Sequence, residues 1–150
     1  MRKSRLGFTL TELMMVVIIM GVVLAFAVPK FNSLRNSGKL GAAKTHVMAS
    51  LTTARASAIQ NGYGSRWSIS GNNVTVAART AAGTYTNLAS AAKFDTLYSV
   101  TLRASQTEID FDSRGLATNL NATGKIYVVG ITTDSICVTR LGVVLRTGCL

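Results

Sequence analysis

Residues 8–28 are apolar except at Thr9, Thr11 and Glu12, and as a helix rising ~1.5 Å per residue they reach roughly 31 Å, one bilayer crossing. Past Pro29 the pattern changes. Apolar side chains recur at Leu40, Ala43, Val47, Leu51, Ala54 and Ala58, with spacings of 3, 4, 4, 3 and 4 residues, while Thr45, Ala49, Thr53 and Gln60 fall on the other side. That is one stripe of an amphipathic helix, which must be buried against something outside the membrane. The two stretches predict a single helix from about Phe8 to Gln60, stopped by Asn61 and Gly62. Pro29, whose ring removes a backbone donor, is expected to bend or interrupt it.

After Gly62 the period becomes two. Trp67 and Ile69 alternate in RWSIS, Val74 and Val76 in NVTVA, Tyr98, Val100 and Leu102 in YSVTL, and Ile109 and Phe111 in TEIDF. IYVVGI, SICVTR and GVVLR complete about seven short strands, separated by Gly, Asn, Ser and Thr turns. Residues 79–93, rich in Ala, Thr and Gly, are predicted as a loop. An antiparallel sheet packed on the amphipathic half of the helix buries both apolar faces, so the expected class is α+β. The chain then divides into residues 1–7 as a leader, 8–28 as a membrane helix, 29–61 as its amphipathic continuation and 62–150 as a β-rich globular domain.

Charge adds a direction to this picture. The 150 residues carry 16 Lys and Arg against 6 Asp and Glu. Removing Arg2, Lys3 and Arg5 from the 16 leaves 13 against 6, a net +7 that favours acidic partners such as phosphodiesters, anionic lipid or neighbouring acidic subunits. A basic leader before an apolar span keeps the N-terminus cytoplasmic and sends everything beyond Pro29 across the membrane. A cleaved secretory signal is the rival reading, but LAFAVPK offers only a weak small-residue cleavage site. In an oxidising compartment beyond the membrane, Cys137 and Cys149 are a candidate disulfide, set against two free thiols. The bridge would close an 11-residue segment and contribute on the order of 2 to 3 kcal/mol.

Candidate chemistry is sparse. His46 is the sole histidine, and at ~100° per residue it lies away from the stripe, where solvent is expected. No catalytic residue, metal set or cofactor site is expected, because no nucleophile stands beside a base in a recognisable motif. Glu108, Asp110 and Asp112 share one side of a strand. Calcium would need loop carbonyls in addition, so pairing with basic groups or exposure to solvent is the expected fate of the row.

Taken together, Gly7-Phe8-Thr9-Leu10-Thr11-Glu12-Leu13 resembles the cleavage and methylation motif of type IV pilin-like proteins, with Pro29 where that family often has its helix-kinking proline. LTTARASAIQNG and FDSRGLAT resemble stretches of minor pilins and pseudopilins of the GspH/FimT class. The resemblance implies that prepilin peptidase cuts after Gly7 and methylates the amine of Phe8, so that the chain is a substrate and not an enzyme. It implies as partners other pilin or pseudopilin subunits, the inner membrane and the assembly platform. The protein would cross the inner membrane once, with its globular domain periplasmic, and then enter a fibre. That fibre is a type IV pilus, with this chain in the tip complex that starts assembly, or the pseudopilus of a type II secretion system.

Within the resemblance Glu12 acquires a role. A carboxylate in a membrane helix is costly unless paired, and the amine freed at Phe8 supplies a cation on the same or an adjoining subunit. Glu12 would then select axial register, against the plainer alternative that it reaches the headgroups. Some members of the class take up DNA through a basic hairpin resembling G-R-x-R. Here the stretch from Arg140 to Arg146 has Val143 in place of the first Arg, which leaves Arg140 and Arg146 as candidate nucleic-acid contacts against a default of scattered surface charge.

Overall fold

The computed structural model describes residues 7–146. The chain divides into two units between Arg35 and Asn36, and each is taken by itself. Helix α1 (Leu10–Asn61) contributes to both and continues through Pro29 without interruption. In the first unit the helix stands alone, and its large apolar side chains are exposed from Leu10 to Leu34.

In the second unit the rest of α1 packs against two antiparallel sheets. The first is built from β1 (Ser65–Ser70), β2 (Asn73–Arg79), β3 (Tyr85–Asn87), β4 (Ala92–Lys93) and β6 (Glu108–Phe111). Its order is β3-β2-β1-β6, with β4 pairing β2 beside β3 on the same edge. A short helix α2 (Phe94–Tyr98) leads into β5 (Thr101–Ala104). The second sheet runs β5-β7-β8-β9, with β7 (Gly124–Val129), β8 (Thr133–Val138) and β9 (Val144–Leu145).

The stripe read from the spacing is the helix face that builds the core. Ala43, Val47, Leu51, Ala54 and Ala58 are fully buried and Leu40 packs at the rim, in one cluster with Trp67, Ile109, Ile126, Val128 and Ile136. Trp67 donates its indole Nε1–H to Ser50 Oγ at 2.9 Å, so the largest core side chain is fixed to the helix by a hydrogen bond as well as by area. Asn61 ends the helix: its Oδ1 accepts the amides of Tyr63 and Gly64 at 2.8 and 3.1 Å.

Three features differ from the pattern-based expectation. There are two sheets rather than one, with nine strands among the described residues. Residues 79–93 hold β3 and β4 in addition to loop, and residues 81–91 are all exposed; such edge strands lack alternation because neither face is buried. Tyr98 belongs to α2 rather than a strand, since Ser99 turns the chain in the left-handed region (φ 56°) before β5 begins.

Candidate functional site

At the start of α1, Thr9 and Glu12 form a reciprocal cap. Glu12 Oε2 accepts the Thr9 amide at 3.0 Å and the Thr9 hydroxyl at 3.1 Å, and Thr9 Oγ1 accepts the Glu12 amide at 3.3 Å. This is the Ser/Thr-x-x-Glu arrangement that satisfies otherwise free donors of a first helical turn. In hydrocarbon, where no water substitutes, each such donor matters more. Thr9 directly follows Gly7 and Phe8, the expected cleavage and methylation positions, Glu12 lies one helical turn further on, and Phe8 is 86% exposed. Glu12 Oε1 takes no hydrogen bond among the described residues, so the carboxylate retains acceptor capacity for an amine. The spacing Thr9-x-x-Glu12 spelled this cap in the sequence; reading Glu12 only as a charge passed over it.

The helix beyond is apolar enough to cross a membrane by length and composition, with mean hydropathy 2.5 over its most apolar window and none of that window buried.

In the second unit the acidic row is consumed by arginines. Arg66 on β1 holds Asp110 through two contacts, Nε at 2.6 Å and Nη2 at 2.9 Å, and reaches Glu108 with Nη1 at 2.8 Å. Its guanidinium also lies 4.6 Å from the centre of the Tyr85 ring. The Asp110 hydrogen bonds raise the guanidinium pKa further above its already high ordinary value. Asp112 ends the row in a turn, where Oδ1 accepts the amides of Leu116 at 2.8 Å and Arg114 at 2.9 Å. Those bonds, that of Leu116 foremost, hold its carboxyl below the usual range. The row therefore pairs with basic groups, as the charge pattern suggested.

His46 corrects the expectation of a solvated side chain. It is half-buried, with Nδ1 3.1 Å from the Tyr98 hydroxyl and its ring centre 5.1 Å from that of Phe94. The cause is α2, an element the pattern did not reveal, which covers that side of α1. Beside it on α1, Lys44 is nearly buried, with its side chain 4% exposed, and it pairs with Asp134 at the start of β8 at 2.6 Å.

Arg140 and Arg146 are not brought together. Arg140 is exposed in the turn between β8 and β9, whereas Arg146 follows β9 and acts electrostatically on Asp134 at the far end of β8. Cys137 is buried in β8, and its expected partner Cys149 lies outside the described residues. At the Arg140 turn, Gly142 faces Gly115 so closely that an added Cβ would sit 2.1 Å from the Gly115 carbonyl oxygen. Both glycines have φ near +70 to +80°, and the Arg55 side chain from α1 lies against both. Arg114 and Arg140 line the cleft beside these turns together with Asp112, Leu116, Thr118 and Leu141.

Comparison with known proteins matches both ends of this description. Residues 2–28 match the model of the prokaryotic N-terminal methylation motif. Two crystal forms of the type IV minor pilin FimU from Pseudomonas aeruginosa (strain PAO1) share the fold, at 12% identity. One superposes with a TM-score of 0.58 over 72% of this chain and 92% of FimU, the other with 0.61 over 75% and 90%. No curated protein sequence matches the chain at a significant level.

Proposed function

We propose that this chain, type IV pilin-like in its processing motif and its fold, is a minor pilin. Prepilin peptidase cuts after Gly7 and methylates the amine of Phe8. Residues 8–28 then hold the chain in the inner membrane, N-terminus cytoplasmic and globular unit periplasmic, until the assembly platform draws it into a fibre. The observation that carries this reading is a helix that begins at the processing motif and buries none of its most apolar window against the chain itself. Its partners must be lipid first and other helices afterwards.

Glu12 supplies the register. Its Oε2 is engaged by Thr9, and Oε1 is left to accept the methylated Phe8 amine, its own or a neighbour's. In a water-free bundle a misaligned subunit would leave both charges unpaired, a cost of several kcal/mol. A place in the assembly-initiating tip complex fits the mature charge of +7, because many identical copies of so basic a subunit would repel one another.

Glu12→Gln tests this directly, since glutamine preserves the reciprocal cap but carries no charge. Membrane insertion should equal wild type, while recovery of the chain in sheared surface fibres should fall about tenfold or more. Undiminished recovery of the variant would contradict the pairing role. A wild-type chain absent from sheared fibres, yet required for protein secretion, would assign it to a type II pseudopilus instead. The nucleic-acid reading is weakened by the separation of Arg140 and Arg146; a mobility shift of DNA at low salt, lost at high salt, would revive it.

A further inference from the structure

We infer that the face formed by Arg55 and Ile59 of α1 and the two apposed glycine turns docks an acidic loop of a different pilin-like subunit, whose carboxylate enters the cleft lined by Arg114 and Arg140. The inference rests on the reading of this chain as a fibre subunit and names the chemistry of its neighbour.

Three observations converge on this face. The first is unspent positive charge. Among the described residues the Arg140 side chain has no hydrogen-bond or ion-pair partner, and Arg55 has its Nε buried without one. Arg114 pairs with Asp112 Oδ2 through Nε and Nη2 at 3.2 Å, but its side chain is 77% exposed, so it adds to the field of the unpaired Arg140. The second is rigidity. The Gly115 and Gly142 turns stack, and the Ala117 amide donates to the Arg140 carbonyl at 2.9 Å, tying the two turns together. A cleft held this way presents its arginines without first ordering a loop, which lowers the entropic cost of docking. The third is apolar area. Ile59 and Leu141 are 50% and 66% exposed, so the arginines are interleaved with the apolar groups that protein interfaces use.

The identity of the occupant follows from charge complementarity. A second copy of this chain is a poor partner, because its acids are already engaged. Glu12 caps the helix, Glu108 and Asp110 hold Arg66, Asp112 is in its own turn and Asp134 holds Lys44. Among the described residues only Asp95, on α2, and Glu12, in the apolar helix, have no cation, so the globular unit of a second copy offers a single carboxylate. A nucleic acid is also a poor partner, since it calls for a run of cations or for aromatic rings on which bases stack. Arg146 lies at the other end of its hairpin, and no aromatic side chain lines the cleft. A heterologous subunit with an exposed Asp or Glu beside apolar residues meets both halves of the surface.

The test uses the full chain in detergent micelles, titrated with each other purified chain of the same genome that carries an N-terminal methylation motif. Wild type should bind at least one of them. Arg140→Glu and Arg114→Glu should each weaken that binding about tenfold or more, as truncating one member of a desolvated charge pair does. Arg103→Glu, exposed on edge strand β5, should leave it within about twofold. Reversal of one carboxylate on the partner should restore binding to the Arg140→Glu chain. The milder Arg140→Gln, with a thermal melt matching wild type, guards against misfolding. Absence of any binding subunit, binding indifferent to these arginines, self-association through this face, or duplex DNA lost with the same variants would each overturn the inference. None of these measurements depends on fibre formation, so the surface can fail while the pilin reading stands. Loss of wild-type chain from fibres would instead defeat that reading.

Discussion

Lys44 and Asp134 illustrate how a single pair can be asymmetric in energy. Lys44 is nearly enclosed, whereas the Asp134 side chain is 42% exposed. Removing the carboxylate strands a buried ammonium, so Asp134→Ala should destabilise the chain by about 1 to 3 kcal/mol. Lys44→Met removes the buried charge itself and should stay within about 1 kcal/mol of wild type. Thermal melts of the two variants in micelles test the order; Lys44→Met as the worse of the two would contradict it. The pH dependence has a definite sign. The Lys44 hydrogen bond holds the Asp134 carboxyl below its ordinary value, so its contribution is complete above about pH 4, the unfolded range. It is lost as the pH falls further toward the folded value. Stability of Asp134→Asn should therefore change less between about pH 5 and pH 2 than that of wild type.

Among the elements, α1 was legible because burial on one face leaves a period of 3.6, and every fully buried residue of the stripe had been singled out by spacing. β1, β2, β6 and β7 were legible for the same reason at period two, and β8 as a short apolar run, with Ile136, Cys137 and Val138 all buried. α2, β3 and β4 were not: a five-residue helix spans too few turns to show a period, and residues 81–91 bury nothing. His46 was misplaced as a consequence, since what covers it is α2. The paired glycine turns were likewise hidden, because FDSRGLAT and the Arg140 turn meet only in three dimensions. Their contact yields a prediction of opposite signs. Gly142→Ala faces both a left-handed backbone and a 2.1 Å approach to a carbonyl, and should cost about 3 kcal/mol or more. Gly41→Ala, in mid-helix with open space around the new methyl, should stabilise by up to about 1 kcal/mol. Denaturant titrations of both variants distinguish a real apposition of the turns from a loose one; equal effects would argue for the loose one.

At the level of the whole molecule, two surfaces are left without partners among the described residues: an apolar helix that starts within an N-terminal methylation motif, and a basic globular unit whose acids are nearly all engaged internally. On the proposed function other subunits meet each of them, the first through hydrocarbon packing and Glu12, the second through charge. On the proposed reading the first depends on removal of residues 1–7, because only cleavage after Gly7 would free an amine at Phe8 for Glu12 to meet. Intact-mass spectrometry of the chain from cells with and without prepilin peptidase tests that event. With the peptidase, the chain should begin at Phe8 and weigh one methyl group more than residues 8–150; without it, the leader should remain. A mature chain beginning at any other residue, or an unmodified Phe8 in cells with active peptidase, would contradict the account.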